Sequence, residues 1–215
     1  MYFAFLALII VGILLLVSEV LWRKKIISGE FGRKYVHMSI GIFIATWPFF
    51  MLLEIIQLIG CAAIVVLFLS RKFNIFHAIH DVKRTTYGDI LYPLSIVLIS
   101  LLAQTDWIFS LAVLFLAVPD GMAAIAGKKL GNKHGNINVW NSKKTIVGTC
   151  TYVLFAYIVI GVGLLIGGKN TLVSNAGIVV LLPLVTAILE VISPYGLDNF
   201  TVPLVVVLTL NALTA

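Results

Sequence analysis

The stretch PDGMAAIAGKKLGNKHGNINVWNSKKTIVGT, residues 119–149, decides how the whole chain is read. It holds one acid, five lysines, one histidine and five glycines, and it lies between two long apolar segments. A membrane-crossing helix needs about 20 apolar residues, so a polar segment between two such runs is a loop between spans. Its content also has a chemistry. Ammonium groups supply positive charge, and glycines let backbone N–H groups approach phosphate oxygens closely. The expectation is a nucleotide-phosphate site at the membrane surface. It is not a Walker A loop, because the order G-x-x-x-x-G-K-[ST] is absent.

Composition supports this reading. Of 215 residues, 61% are hydrophobic and 11% charged, against about a quarter charged in soluble domains. No soluble core hides that much apolar surface, so lipid is the solvent for most of it. The apolar runs are continuous rather than alternating, which excludes a barrel and predicts an all-α, polytopic integral membrane bundle. Residues 1–215 are expected to form a single domain. The formal net charge of +6 would suggest nucleic acid in a soluble protein, but here the placement of the charges excludes it. Cys61 and Cys150 sit in apolar runs and carry no metal or redox message. The first run lacks a basic leading segment and a small-residue cleavage site, so it is a span rather than a signal peptide.

Eight spans are expected, over residues 2–22, 37–53, 55–69, 89–102, 107–126, 146–166, 176–192 and 202–213, with seven as the alternative count. Of the 15 basic residues, only Lys169 falls outside alternate loops. Positive charge collects on the cytoplasmic side, so the polar loops are placed there and both termini outside. The ionisable residues gather on that same side, and acids at the edge of a membrane are costly enough to be functional candidates.

Asp120 ends one span and opens a row of small residues. A carboxylate facing nucleotide phosphates normally works through Mg²⁺. Gly127, Lys128, Gly131, Lys143, Lys144 and Gly148 are the candidate phosphate contacts. Thr145 is placed to cap the following helix, whose N-terminus would then face an anion. Arg84, Tyr87 and Asp89 form a second candidate segment at the mouth of a span, for phosphate or a lipid head group. Glu190 and the turn carrying Asp198 and Asn199 form a third, suited to a metal or a hydroxyl substrate. Arg33 and Lys34 read as topological charges, and His37 as a bundle hydrogen-bonder or a weak catalytic candidate. Residues 71–84 read as an amphipathic interfacial helix holding His77 and His80.

In this order the motifs resemble the polyprenol-type lipid kinases: phytol kinase, dolichol kinase and the CTP-dependent diacylglycerol kinases. The matching elements are Arg33-Lys34-x-x-His37, Arg84-x-Thr86-Tyr87-Gly88, Asp120 through Gly131, Lys144-Thr145-x-x-Gly148, and Glu190 with Asp198-Asn199-x-x-Val202-Pro203-Leu204. Two positions depart from the pattern. Pro119 precedes the acid where the family has Gly, and Val147 stands where the family often has Glu.

The resemblance implies CTP as phosphate donor and an isoprenoid alcohol, or diacylglycerol, as acceptor. It implies an enzyme of the lipid bilayer whose active site faces the cytoplasm. Its size beside the large eukaryotic dolichol kinases points to a prokaryotic cytoplasmic membrane. The roles that follow are Asp120, Asp198 and Asn199 for Mg²⁺, and Lys143 and Lys144 for phosphate oxygens. Glu190 or Asp198 would accept the hydroxyl proton, with His37 behind them, while Tyr87, Asp89 and Asn199 would contact substrate. The alternatives are a CTP:phosphatidate cytidylyltransferase and a small transporter. Oligomeric state is not legible.

Overall fold

The computed structural model describes residues 2–73, 75–81, 85–130, 135–139, 142–168 and 173–214. Arg84 and Gly131 lie outside these residues, as does the side chain of Lys143.

Apolar runs become helices because a helix satisfies its own backbone where water is scarce. Helices α1 (Tyr2–Arg23), α2 (Gly29–Ile44), α3 (Leu53–Phe73), α4 (His77–His80) and α5 (Gly88–Leu102) come first. Next are α6 (Asp106–Leu130), α7 (Ile146–Gly163), α8 (Ala176–Ile192) and α9 (Asp198–Thr214). A 3₁₀ turn at Trp47–Phe49 follows α2, and a π-helical turn at Leu164–Gly168 extends α7. Among the described residues four helices, α1, α3, α6 and α7 with its extension, are long and apolar enough to cross a membrane, and α5, α8 and α9 are shorter apolar helices.

Helix α6 is the axis of the bundle. It packs against α2, α5, α7 and α9, and Ile108, Phe109, Leu111, Ala112, Val113 and Phe115 are fully buried. Between helices in lipid, close backbone approach replaces the hydrophobic drive. Glycines provide it here. A Cβ at Gly41 of α2 would overlap the Tyr92 hydroxyl and Ala117. A Cβ at Gly148 of α7 would stand 3.1 Å from the carbonyl oxygen of Ala123. By contrast α1 buries only Ala7, Ser18 and Glu19 and leaves Leu6, Leu8, Ile9, Ile13 and Leu16 exposed.

Three expectations are corrected. Residues 136–145 contain a two-stranded hairpin, β1 (Asn136–Val139) paired antiparallel with β2 (Ser142–Thr145), where only loop was expected. Its alternating Asn-Ile-Asn-Val pattern suits a strand. The 71–84 segment is not one interfacial helix: α3 carries Arg71 and Lys72 to its own end, and α4 is a single turn folded inward. Ala78 and Ile79 pack with Ile27 and Val36 in a small core of their own. Finally, Arg33 and Lys34 are not loop charges; α2 begins at Gly29, and both are buried within it.

Candidate active site

Five charged side chains from five segments meet at one end of the bundle. Asp120 comes from α6, one residue after Pro119, which cannot donate a helical hydrogen bond. Glu190 comes from α8 and Asp198 from the first residue of α9. Lys34 projects from α2, and β2 delivers Lys144 just before α7. Asp120, Glu190 and Asp198 are all buried, with one carboxylate oxygen from each lying within 4.8 Å of the others. Lys34 pairs with Asp120, and its ammonium is 3.8 Å from Oδ2 of Asp198. Lys144 pairs with Glu190 and is 3.9 Å from the same Asp198 oxygen. Asp198 therefore sits between two lysines. Burial works against the Lys144 ammonium, but Glu190, then Asp198 and Asp120, outweigh it and hold its pKa above the ordinary lysine range.

With all three acids ionised, the cluster has one negative charge more than its lysines neutralise. Leaving such an excess buried is costly without a further cation. The donor set also fits one: carboxylate oxygens alone, from three helices, suit a hard divalent ion such as Mg²⁺ better than a soft one. Glu190 is the third acid of this set. The Asn199 amide nitrogen lies 3.5 Å from the Gly88 carbonyl oxygen, toward which it donates.

The turns before α5 and α9 interlock beside the cluster. Tyr87 N–H donates to the Tyr195 carbonyl at 2.9 Å, and the Thr86 hydroxyl donates to the same oxygen at 3.2 Å. Gly196 has φ +87° and no room for a side chain, because a Cβ would be 2.8 Å from the Gly88 nitrogen. Two motifs that are more than a hundred residues apart in the chain thus form one surface.

A second polar group flanks this surface. Asp89 accepts from His80, 3.3 Å away, and lies 3.5 Å from Arg71. The far nitrogen of His80 is 3.0 Å from the Ser70 hydroxyl. His77 meets Glu19 at 3.0 Å and stacks on Trp22. The Trp22 indole N–H donates to Asp81 at 2.9 Å. These contacts fasten α4 onto α1, α3 and α5. Tyr87 is half exposed, with the Arg71 guanidinium over its ring.

The remaining expected residues have mixed placements. Thr145 caps α7, its hydroxyl accepting from Gly148 N–H at 3.0 Å. Gly127 lies inside α6 against that hydroxyl, so Gly127 and Gly148 both serve the α6–α7 contact. Lys128 is exposed at the end of α6, over the Phe31 ring. His37 is buried and stacked on Tyr92, whose hydroxyl donates to the His37 carbonyl at 2.7 Å. Lys34 is the central residue that the sequence reading set aside as topological. One signal pointed to it: a cationic pair near the N-terminal end of an apolar helix, where the macrodipole disfavours positive charge.

The chain is 32% identical to phytol kinase from Synechocystis sp., over an alignment that covers 93% of this chain and 86% of that protein. The chain belongs to the polyprenol kinase family. No family model matches it, and no solved structure matches it. Membership in this family places the buried charge cluster within a membrane enzyme of the kinase class.

Proposed function

We propose that the protein transfers the γ-phosphate of CTP to an isoprenoid alcohol such as phytol or geranylgeraniol, at the cytoplasmic face of a prokaryotic membrane. The observation that carries this reading is the meeting of Asp120, Glu190 and Asp198 with Lys34 and Lys144 at one end of an apolar bundle. A lipid alcohol presents its hydroxyl at that depth, with its tail among the helices. The family relative bears the name phytol kinase, which favours a prenol acceptor over diacylglycerol or dolichol.

Phosphoryl transfer asks a protein mainly for positioning and charge stabilisation. Asp120, Glu190 and Asp198 would hold Mg²⁺, which when bound offsets negative charge on phosphate oxygens. Lys34 and Lys144 are placed to turn from carboxylates to phosphate oxygens. Thr145 caps the α7 N-terminus beside Lys144. Glu190 or Asp198, the acids that Lys144 approaches, receives the proton of the acceptor hydroxyl. Burial of all three acids excludes bulk water, which would otherwise compete with the alcohol.

The test uses the purified protein in detergent with Mg²⁺, a panel of prenols, diacylglycerol and phosphatidate, and CTP labelled at either the γ- or the α-phosphate. Label from the γ position in an organic-extractable product is expected, with a prenol as the best acceptor. Label from the α position would instead identify a cytidylyltransferase. No transfer from CTP or ATP to any lipid would overturn the kinase reading.

A further inference from the structure

Arg33 is almost completely buried, at 1% exposed, yet its Nε and Nη1 have no hydrogen-bond partner. Among the described residues its ion pair, through Nη2, is with Glu30, which is a third exposed. A guanidinium left with free N–H groups in a buried place is expensive unless something completes it. Lys34 cannot be exchanged for it in this respect, since an ammonium lacks the planar fork that grips an oxyanion.

The unpartnered edge of Arg33 meets a glycine. Gly88 is the first residue of α5, and a Cβ there would overlap both Arg33 Nη1 and Asn199 Nδ2. Two donors thus converge over a residue with no side chain, at the positive end of a fifteen-residue helix. The place of this group in the chain matters too. Arg33 precedes Lys34, and Asn199 follows Asp198, so the donors border the carboxylate cluster on both elements.

We propose that Arg33, Gly88 and Asn199 form an oxyanion subsite that binds a phosphate group beside the carboxylate cluster and positions it for transfer. The inference rests on the phosphotransferase reading for its place in the reaction, but not for its chemistry. The anion is a phosphate, carried either by the nucleotide or by the phosphorylated lipid. Arg33 donates through Nη1, and Asn199 Nδ2 supplies a second donor beside it. Gly88, with no side chain, lets both nitrogens close in on the N-terminus of α5.

The experiment has one arm that does not need turnover. The full-length protein in detergent, without Mg²⁺, is heated with increasing inorganic pyrophosphate, and the rise in unfolding temperature is followed. Arg33→Lys keeps the charge and removes the Nη1 donor, while Gly88→Ala keeps both donor side chains and forces them out of position. Each is expected to raise the pyrophosphate concentration for half-protection by about tenfold or more, the worth of one charged hydrogen bond. Gly88→Ala guards against the case in which Arg33→Lys fails to fold. Unchanged protection in a folded variant of either kind overturns the subsite.

The second arm measures KM for CTP and inhibition by the phosphorylated prenol. A selective rise in KM for CTP assigns the phosphate to the nucleotide, and a selective loss of product inhibition assigns it to the lipid. If no transfer is found in any lipid but pyrophosphate protection still depends on Arg33 and Gly88, the kinase reading fails and the subsite stands.

Discussion

Lys34 and Asp120 make opposite contributions to the charge of one cluster, and that separates stability from activity. Asp120→Asn removes the excess negative charge and leaves Lys34 with Asp198 at 3.8 Å. Turnover should fall by at least about a hundredfold, as expected when a group that stabilises transition-state charge is lost. The unfolding temperature should change little. Lys34→Gln does the reverse, leaving three buried acids with one lysine, and breaking a buried pair in this way costs about 3–5 kcal/mol. Thermal unfolding in detergent should show the drop, and added Mg²⁺ should restore part of it by binding the folded state. Equal destabilisation by both variants, or no response of Lys34→Gln to Mg²⁺, would argue against a carboxylate cluster that awaits a cation.

The helices place these residues through close contacts that tolerate no added atoms. Gly41→Ala would push α2 away from α6, since its Cβ overlaps the Tyr92 hydroxyl and Ala117. Overpacking of this kind costs about 1–3 kcal/mol, and the shift carries Lys34 away from Asp120. Both unfolding temperature and activity should fall together. Gly12→Ala and Gly161→Ala meet nothing within 4 Å and serve as controls that should leave both unchanged. The α4 turn is held in addition by histidine–carboxylate contacts and stacking. Asp89→Asn removes the charged partner of His80, so amide hydrogen exchange over His77–His80 should speed up. Exchange at the wild-type rate would mean that the small core around Ala78 and Ile79 holds the turn unaided.

At the scale of the whole molecule, the distribution of basic residues predicts which way the bundle faces. In a background with Cys61 and Cys150 replaced by serine, Lys24→Cys should react with an impermeant thiol reagent only from the cytoplasmic side. Asp106→Cys, at the opposite end of the charge pattern, should react only from outside. Labelling of both from one side would overturn the orientation and, with it, the cytoplasmic site. Charges near mid-membrane are costly, which is why the polar chemistry gathers at one end of the bundle.

The sequence by itself determined the helical membrane class, the positions of most helices and the acids that meet at one end of the bundle, because long apolar runs and rare charges within them are strong local signals. It also marked Thr145 as a cap, since capping is decided within four residues. It did not reveal that Glu190 completes the carboxylate group, that Lys34 pairs with Asp120 within it, or that Arg33 and Asn199 converge on Gly88. Nor did it show that Gly127 and Gly148 face each other across two helices. Each of these depends on the rotation and spacing of helices far apart in the chain. Those are set by side chains fitting against one another in three dimensions, and only the tertiary structure decided them.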